Sequence, residues 1–489
     1  MAEGMQDIRR TVSNWLWRIV PISFVIAVSS YVLSKQLIRP HQRVIKASLL
    51  LVVLIILLKF EMILSLYFFI VMLPFPSGIV LTSTNVILLT IITLVWLIRA
   101  RATGEKLFEK TDIDLWVILF LGAYLISLFN VETTRHLYEG FKLIWRQLTA
   151  FAFFYLIVRF VDTEQRLERI TKVIGLAGAL VAFTGVVELF APGVTIIPGW
   201  IETRQQLGKG MLGYRLEGIR LGGAFGAHNL LSDYCSFTIF FMITHFLRSK
   251  NPIEKAFWSA ASLMTVAVLM ATANRGATFS LAFGFAYSLW VFRRHMSLVR
   301  YVILITSAVA IFGVTQLALD RYTIAASITQ RVMVTYFVGG VPDSRVGVWE
   351  QVFRRCLDHM FIGHGPYYET SKGLIRYFWP HNAYLYYFHT IGLLGLSIFL
   401  IIAYRLVRIS LRYRHPLIAG SFLEYGLSIF NVQIAMFLVG QMRTDHQRHT
   451  DSIYIYVVWM LFGLIAATGN MLKKKERQIA QRALETDTG

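Results

Sequence analysis

Long apolar segments recur along the whole chain, and short polar segments separate them. A helix rises about 1.5 Å per residue, so about 20 apolar residues cross the hydrocarbon layer of a membrane. Most of these segments reach that length and are too long for the strands of a membrane β-barrel. In lipid every backbone polar group must be bonded within the protein. The pattern therefore predicts an all-α polytopic membrane protein with about 12–14 transmembrane helices.

The predicted spans are clearest after residue 78. Before it, one candidate covers residues 16–33, and residues 47–73 form either one long helix or two short ones separated at Lys59–Glu61. That choice decides the span count and the side on which the N-terminus lies. The later predicted spans lie near residues 79–98, 114–130, 142–160, 168–190, 229–247, 256–272, 276–292, 300–319, 382–403, 421–441 and 452–468.

A polar insertion of roughly sixty residues, 320–381, separates two of these spans; loops of this length are functional or disordered. Apolar residues at helical spacing argue against disorder and predict an amphipathic helix that packs on the bundle or lies on the membrane. These residues are Trp349, Val352, Phe353, Cys356 and Met360. The predicted organisation is 1–78 N-terminal membrane segments, 79–319 helical core, 320–381 loop, 382–470 C-terminal helices and 471–489 charged tail.

Charge orients the predicted bundle. Of the 489 residues 16% are charged, and the formal net charge is +20. Basic clusters fall on alternate loops and on the tail, so the positive-inside rule places them and the C-terminus in the cytoplasm. The 320–381 loop and a second long loop, about 191–228, then face outward. The C-terminal cluster is Lys473, Lys474, Lys475 and Arg477.

The outward loops are basic as well, which the orientation rule does not explain. Two explanations remain open: an anionic ligand such as phosphate or pyrophosphate, and attraction to lipid headgroups. Nothing favours a nucleic-acid partner. The basic residues of these loops are Arg204, Lys209, Arg215, Arg220, Arg321, Arg331, Arg345, Arg354, Arg355, Lys372 and Arg376.

Two of the four candidate site segments carry an arginine at a predicted helix start. Arg275, in Thr272–Gly276, would lie beside free backbone N–H groups and the positive end of a helix dipole, which favour an anion; alternatively, it snorkels to headgroups. Arg345 would be the first residue of the amphipathic helix, where a positive charge interacts unfavourably with the helix dipole. Its position therefore suggests a role other than stabilising the helix. Trp349 follows one turn later, although its apolar stripe is typical of packing.

The other two segments are Pro380–Tyr384 and Arg220–Asn229. In the first, His381 would lie at the membrane boundary, where an imidazole can accept a proton from a hydroxyl or serve structure. In the second segment, the glycines permit a tight backbone conformation. It serves either close approach to a ligand or a plain turn into a span. The two cysteines, Cys235 and Cys356, fall in a span and in the loop, so neither a disulfide nor a cysteine metal site is expected.

In this order, the segments resemble the bacterial O-antigen ligase and O-antigen polymerase superfamily over roughly residues 75–470. A glycine-rich segment ends in Ala227-His228-Asn229, where the family has an Asn-Pro-Asn-like element. Asn274-Arg275-Gly276 corresponds to the family's Ser-Arg-Gly turn. Ser344-Arg345 with Trp349 corresponds to its Ser-Arg-x-x-x-Trp helix, and His381-Asn382 to the element that ends its large periplasmic loop. The departures are Asn274 for serine and the missing proline at 228.

The resemblance implies a GT-C-like bundle whose periplasmic loop contains amphipathic helices. It also implies inverting transfer of a glycan from undecaprenyl diphosphate, in the periplasmic leaflet of the inner membrane, without metal or cofactor. The acceptor would be lipid A-core for a ligase or another lipid-linked glycan for a polymerase. The expected catalytic residues are Arg275, Arg345 and His381. The expected substrate-binding residues are Arg215, Arg220, His228, Asn229, Trp349, Asn382 and Tyr384.

Several alternatives remain open. The loop motifs favour a ligase, while Arg-x10-Gly spacings at 215–226 and 354–365 fit a polymerase but arise readily by chance. A transporter of lipid-linked sugars would bury charged residues within its spans, and the interiors of the predicted spans after residue 79 are nearly free of charge. A non-catalytic assembly protein would not need the arginine and histidine set.

Overall fold

The computed structural model describes residues 61–75, 84–191, 195–197, 201–202, 206–207, 219–293, 306–307, 310, 312–318, 321, 345–367, 380–442 and 453–487. Its helices are α1 (Met62–Met72), α2 (Thr84–Thr103), α3 (Asp114–Ser127), α4 (Thr134–Phe160), α5 (Glu164–Phe190), α6 (His228–Arg248), α7 (Pro252–Ala271), α8 (Arg275–Val291), α9 (Arg345–Cys356), α10 (Ala383–Ser410), α11 (Phe422–Gly440) and α12 (Tyr454–Asp487). Single 3-10 turns cover Leu128–Asn130, Gly223–Phe225, Leu411–Arg414 and Pro416–Ile418.

The predicted class is confirmed: the chain is an all-α polytopic membrane protein. Within the described ranges, eight helices are long and apolar enough to cross a membrane, namely α2, α4 to α7 and α10 to α12. Shorter apolar helices, Met62–Met72 and Asp114–Asn130, fall on two further predicted spans. The predicted span at 16–33 and most of the one at 300–319 lie outside the described residues.

The chain divides into two compact units. One comprises residues 1–69 and 77–105, and the other comprises 70–76 and 106–489. The second contains α3 to α12 and all four candidate site segments.

An aromatic cluster forms part of the core of the second unit. Trp459 of α12 is 1% exposed and packs edge-on against Phe151 of α4, with ring centroids 4.4 Å apart. Tyr387 and Phe399 of α10 continue the cluster at 4.7 Å. On the outside of α3, large apolar side chains such as Leu115 are exposed. Apolar groups thus face both inward and outward, as expected for helices whose outer surface meets lipid.

Helices α8 and α11 pack antiparallel and bring the start of α8 to the end of α11. The Tyr287 hydroxyl donates to Asn431 Oδ1 at 2.7 Å. One turn nearer the site, Gly284 faces Met436 so closely that an added Cβ would lie 2.2 Å from the sulfur. Small residues of this kind let membrane helices approach each other closely. At the end of this contact, Ser280 reaches the last residue of α11, Gly440.

Helix α10 was predicted as one continuous span, but it is broken at Gly392, which has φ 68° and ψ −173°. The segment after α9 enters the break and supplies hydrogen bonds in both directions. His364 and Gly365 donate their N–H groups to the carbonyls of His389 and Thr390, at 2.8 and 3.1 Å. Leu393 and Leu394 donate to Met360 and Phe361, at 2.9 and 3.1 Å. Irregular backbone is tolerated at membrane depth when protein groups satisfy it in this way.

Two other features differ from the sequence expectations. The outer loop near 191–228 contains two short antiparallel strand pairs, β1 (Thr195–Ile197) with β2 (Ile201–Glu202) and β3 (Gln206–Leu207) with β4 (Ile219–Arg220). The charged C-terminal tail continues α12 as helix to Asp487. Lys475 in that extension pairs with Glu164 at the start of α5, so ion pairs hold its first turn against the bundle.

We expect Gly363→Ala to lower the thermal stability of the detergent-solubilised protein. Gly363 has φ +75°, and an added Cβ would lie 2.5 Å from the Thr390 backbone, which cannot move aside. The left-handed conformation and the overlap together cost roughly 2–4 kcal/mol. Gly122→Ala is the matched control, because nothing lies within 4 Å of an added Cβ there. A Gly363→Ala protein that unfolds at the wild-type temperature would contradict the described docking of this segment.

Candidate functional site

The glycine-rich segment is held by a buried glutamate that the sequence reasoning missed. Glu188, near the end of α5, is 1% exposed, and its carboxylate accepts from the N–H groups of Gly222 and Gly223. Gly223 has φ +52° and packs against Leu231 and Thr184, where a side chain would crowd both. This turn leads directly into α6. The glutamate thus fixes the path by which the chain enters the helix.

Arg220 connects this segment to the turn before α8. Its side chain is buried, with Nε donating to the Thr272 carbonyl at 3.1 Å and Nη2 to the Ala273 carbonyl at 3.5 Å. Ala273 has φ 51°, an uncommon conformation for a residue other than glycine. Arg220 therefore supports the backbone that presents Arg275, in addition to any contact with a ligand.

Arg275 is the first residue of α8, as predicted, and it is half-buried. Asn274, which stands where the family has serine, caps the helix by accepting from the N–H groups of Gly276 and Ala277 at 3.1 and 3.4 Å. Its Nδ2 donates to Ser232 Oγ of α6 at 2.7 Å. The same side chain thus shapes the helix start and joins it to α6, where His228 and Asn229 occupy the first turn and are half-buried.

The amphipathic helix predicted in the large loop is α9. Val352 and Cys356 are buried against Phe388 of α10, so the stripe serves packing, as the sequence favoured. Trp349 donates its indole N–H to the Pro380 carbonyl at 2.6 Å, which ties α9 to the end of the loop. Arg345 is the first residue of α9, although its side chain lies outside the described part of the structure, as does all of Arg215.

His381 follows Pro380 and is half-buried with φ 46°. A left-handed conformation at a histidine costs free energy and often marks a site where function fixes the backbone. Next in sequence, Asn382 caps α10 by accepting from the N–H groups of Tyr384 and Leu385 at 3.0 and 3.2 Å. The Tyr384 hydroxyl donates to the Leu438 carbonyl at 2.8 Å. Both side chains hold the helix start that carries His381.

Three helices thus begin at the same end of the bundle: α6, α8 and α10. Asn274 joins α8 to α6, and the N–H of Ala383 joins α10 to the Gln441 carbonyl at the end of α11, at 2.9 Å. Gln441 and Gly276 line one pocket between α8 and α11. The positive ends of three helix dipoles favour an anion at this end of the protein.

The structure thus brings the four sequence segments to one end of the bundle through backbone and cap contacts. Among the described residues, Glu188, Asp233 and Gln441 were not singled out from the sequence. Glu188 and Asp233 are ionisable residues within apolar segments, which was a usable signal; Gln441 carried none. Among the described residues no group of three or more histidine, cysteine, aspartate or glutamate side chains is placed to hold a metal ion.

Four histidines lie where the loop docks into the break of α10. The rings of His364 and His389 stack with centroids 4.4 Å apart, and His359 meets His364 edge-on at 4.5 Å. His136 approaches from α4 beside Gly365. His364 Nε2 lies 2.8 Å from the Arg355 carbonyl, which can only accept, so this nitrogen carries the proton. Burial lowers the pKa of His364; His359 lowers it further, while the Arg355 carbonyl, Asp358 and Glu132 act in the opposite direction.

A comparison with known proteins found a family match for part of the chain. Residues 260–400 match the family model described as O-antigen ligase. The match includes α8, α9 and the start of α10, and with them Arg275, Arg345 and His381. No curated protein matches the chain.

We expect the stability of the protein to fall on acidification, and His364→Gln to weaken that fall. The pKa of folded His364 lies below the unfolded value of about 6.5. The unfolded chain therefore binds more protons, and the stability contributed by neutral His364 is present above about pH 6.5 and is lost as the pH falls towards the folded pKa. Unfolding temperatures at about pH 7.5 and about 5.5 test this. Equal acid-induced shifts in both proteins would contradict it.

Proposed function

Because the chain belongs to the O-antigen ligase and polymerase superfamily, we propose that it transfers a glycan from undecaprenyl diphosphate to an acceptor hydroxyl. The reaction takes place at the periplasmic face of the bacterial inner membrane, inverts the anomeric carbon and uses no metal. The acceptor is lipid A-core in the ligase that we favour. The observation that carries the proposal is the meeting of three helix starts with Arg275 and His381 at one end of the bundle.

The first requirement is to stabilise the departing diphosphate, whose negative charge grows as the glycosidic C–O bond breaks. Preorganised donors aimed at such charge are commonly the largest catalytic contribution. Arg275 offers a guanidinium at the positive end of the α8 dipole. Guanidinium groups bind phosphate oxygens in a bidentate fashion, and Arg345 at the start of α9 supplies the second one. Arg220 supports the turn before Arg275 and adds to the positive charge of the site. Arg215 lies on the same outer loop as Arg220.

The second requirement is to remove a proton from the acceptor hydroxyl as its oxygen attacks the anomeric carbon. His381 takes this proton on a ring nitrogen, while the diphosphate leaves with the electron pair of the broken bond. Attack opposite the leaving group inverts the anomeric configuration. A general base of this kind contributes about a hundredfold to ten-thousandfold in rate. Five further residues surround or position the reacting groups: His228, Asn229, Trp349, Asn382 and Tyr384.

A ligase and a polymerase share this donor chemistry and differ in acceptor. Deletion of the gene followed by glycan analysis separates them. Loss of all capped lipid A-core, with lipid-linked polymer accumulating, identifies a ligase. Capping by single repeat units identifies a polymerase. Unchanged lipopolysaccharide would mean that the protein acts on a different polymer.

A transporter of lipid-linked sugars is the second candidate, favoured by the buried Arg146 within α4. Glu188 and Asp233 are also buried in spans, but both lie near the end where the site segments meet. A transporter would move lipid-linked glycan in vesicles that contain no acceptor, whereas a transferase would leave its distribution unchanged.

We expect Arg275→Ala, Arg345→Ala and His381→Ala each to abolish glycan transfer while the proteins still insert and accumulate. Each change removes charge stabilisation or the base and leaves the packed core intact. Arg166→Ala is the matched control: it is an exposed arginine in the first turn of α5, paired with Asp162 at 2.7 Å. Surface glycan is compared by gel after complementation of the deletion strain. Normal glycan in the three site variants would refute this assignment.

We expect a cysteine introduced at Glu350 of α9 to react with a membrane-impermeant maleimide in intact spheroplasts. The charged Glu350 side chain is 63% exposed, whereas the native Cys235 and Cys356 are buried and remain unlabelled. Leu484→Cys, on the exposed end of α12, reacts only after the membrane is permeabilised. The reverse pattern would overturn the orientation with a periplasmic loop and a cytoplasmic C-terminus.

A further inference from the structure

Helix α9 and the turns that follow it run alongside the first part of α10. The Trp349 indole N–H donates to the Pro380 carbonyl, just before α10 begins. Further along both segments, Val352 and Cys356 pack against Phe388. The chain after α9 then reaches the break of α10 and bonds to it. This part of the large loop therefore follows α10 from its start into the span.

The contact at the break fixes how deep the loop segment lies. The Phe361 carbonyl accepts from the Leu394 N–H at 3.1 Å. Leu394 lies eleven residues before Arg405, the first basic residue of α10 after the break. Eleven residues of helix measure about 16 Å, roughly half of a hydrocarbon layer of about 30 Å. Phe361 therefore lies within the layer that α10 crosses, although it belongs to the loop.

The side of this segment that faces away from α10 is apolar. Phe353, Leu357 and Phe361 recur at four-residue spacing and are 49%, 51% and 69% exposed. Leu394, which bonds to Phe361 through its N–H, is exposed as well, so this face continues the outward surface of a membrane-spanning helix. A contiguous exposed apolar face marks contact with lipid or with another protein.

The distribution of charge along the segment favours lipid. Glu350 and Arg354 pair at 2.7 Å within α9, on the side of the start of α10, and a long arginine side chain there can reach the headgroups. Beyond them, Asp358 is exposed, but its charge raises the pKa of His364, so it lies on the histidine side of the segment. The exposed face thus changes from charged to apolar with depth, as the membrane itself does.

We propose that the large loop dips into the membrane at the end of α9, where Phe353, Leu357 and Phe361 contact phospholipid acyl chains. The leaflet is the one on the side of the candidate site. These contacts hold α9 at a fixed depth, with its charged part at the headgroups and its end in the hydrocarbon layer. The inference concerns the bundle alone and does not depend on the transfer reaction.

The test measures the surroundings of a spin label at this face. Leu357→Cys and Phe361→Cys are each labelled with a nitroxide, and the full chain is reconstituted in vesicles of phosphatidylethanolamine and phosphatidylglycerol. Collisions with oxygen, which concentrates among acyl chains, are compared with collisions with a nickel chelate, which stays in water. Both native side chains are exposed, so their replacement leaves the packing against α10 intact. Wild-type protein gives the background from Cys235 and Cys356, which are buried.

Two control positions bracket the result. Leu400→Cys lies on the exposed apolar side of α10, and Glu350→Cys lies on the exposed charged part of α9. We expect the ratio of oxygen to nickel collisions at Leu357→Cys and Phe361→Cys to exceed that at Glu350→Cys and to approach that at Leu400→Cys. The value is higher at Phe361→Cys, because this position lies deeper.

Two other results overturn the proposal. A ratio equal to that at Glu350→Cys means that the face meets water. Protection from both reagents at Leu357→Cys and Phe361→Cys means that protein, either another part of this chain or a second copy, covers the face. Since the vesicles contain phospholipid as the sole lipid, access to oxygen alone identifies acyl chains as the occupant.

Discussion

The site depends on one constraint: irregular backbone close to lipid must find its hydrogen bonds inside the protein. The four candidate segments are all irregular where they meet the bundle. Glu188 binds the N–H groups of Gly222 and Gly223, and Arg220 binds the carbonyls before Arg275. A buried charge is tolerated when it is hydrogen-bonded in this manner. The charged groups that stabilise the fold thus also shape the site.

The same constraint applies to the starts of α6, α8 and α10. Asn274 accepts from two N–H groups of α8, and Asn382 and Gln441 accept from the first three N–H groups of α10, whereas α6 has no side-chain cap at Ala227. The dipoles of the three helices point with their positive ends to the same end of the protein. For a reaction in which a diphosphate departs, fixed dipoles of this kind need no reorganisation as charge develops.

The sequence predicted the spans well, because about 20 apolar residues in lipid have few alternatives to a helix. It also predicted the helix start at Arg275 and the packing stripe of α9, since caps and helical periodicity are local signals. The break at Gly392 was missed because its partners, Met360 and Phe361, are supplied by a distant loop segment. The anchoring by Glu188 was missed for the same reason: a hydrogen-bond partner is a property of the tertiary structure.

The broken α10 has a consequence for how the protein is made. Residues 360–365, which bond to the break, leave the ribosome before α10 itself. Without them the N–H groups of Leu393 and Leu394 and the carbonyls of His389 and Thr390 would enter the membrane unsatisfied. Insertion of α10 in this conformation therefore requires the preceding loop segment beside the break. The loop and the helix form one structural unit that neither can form alone.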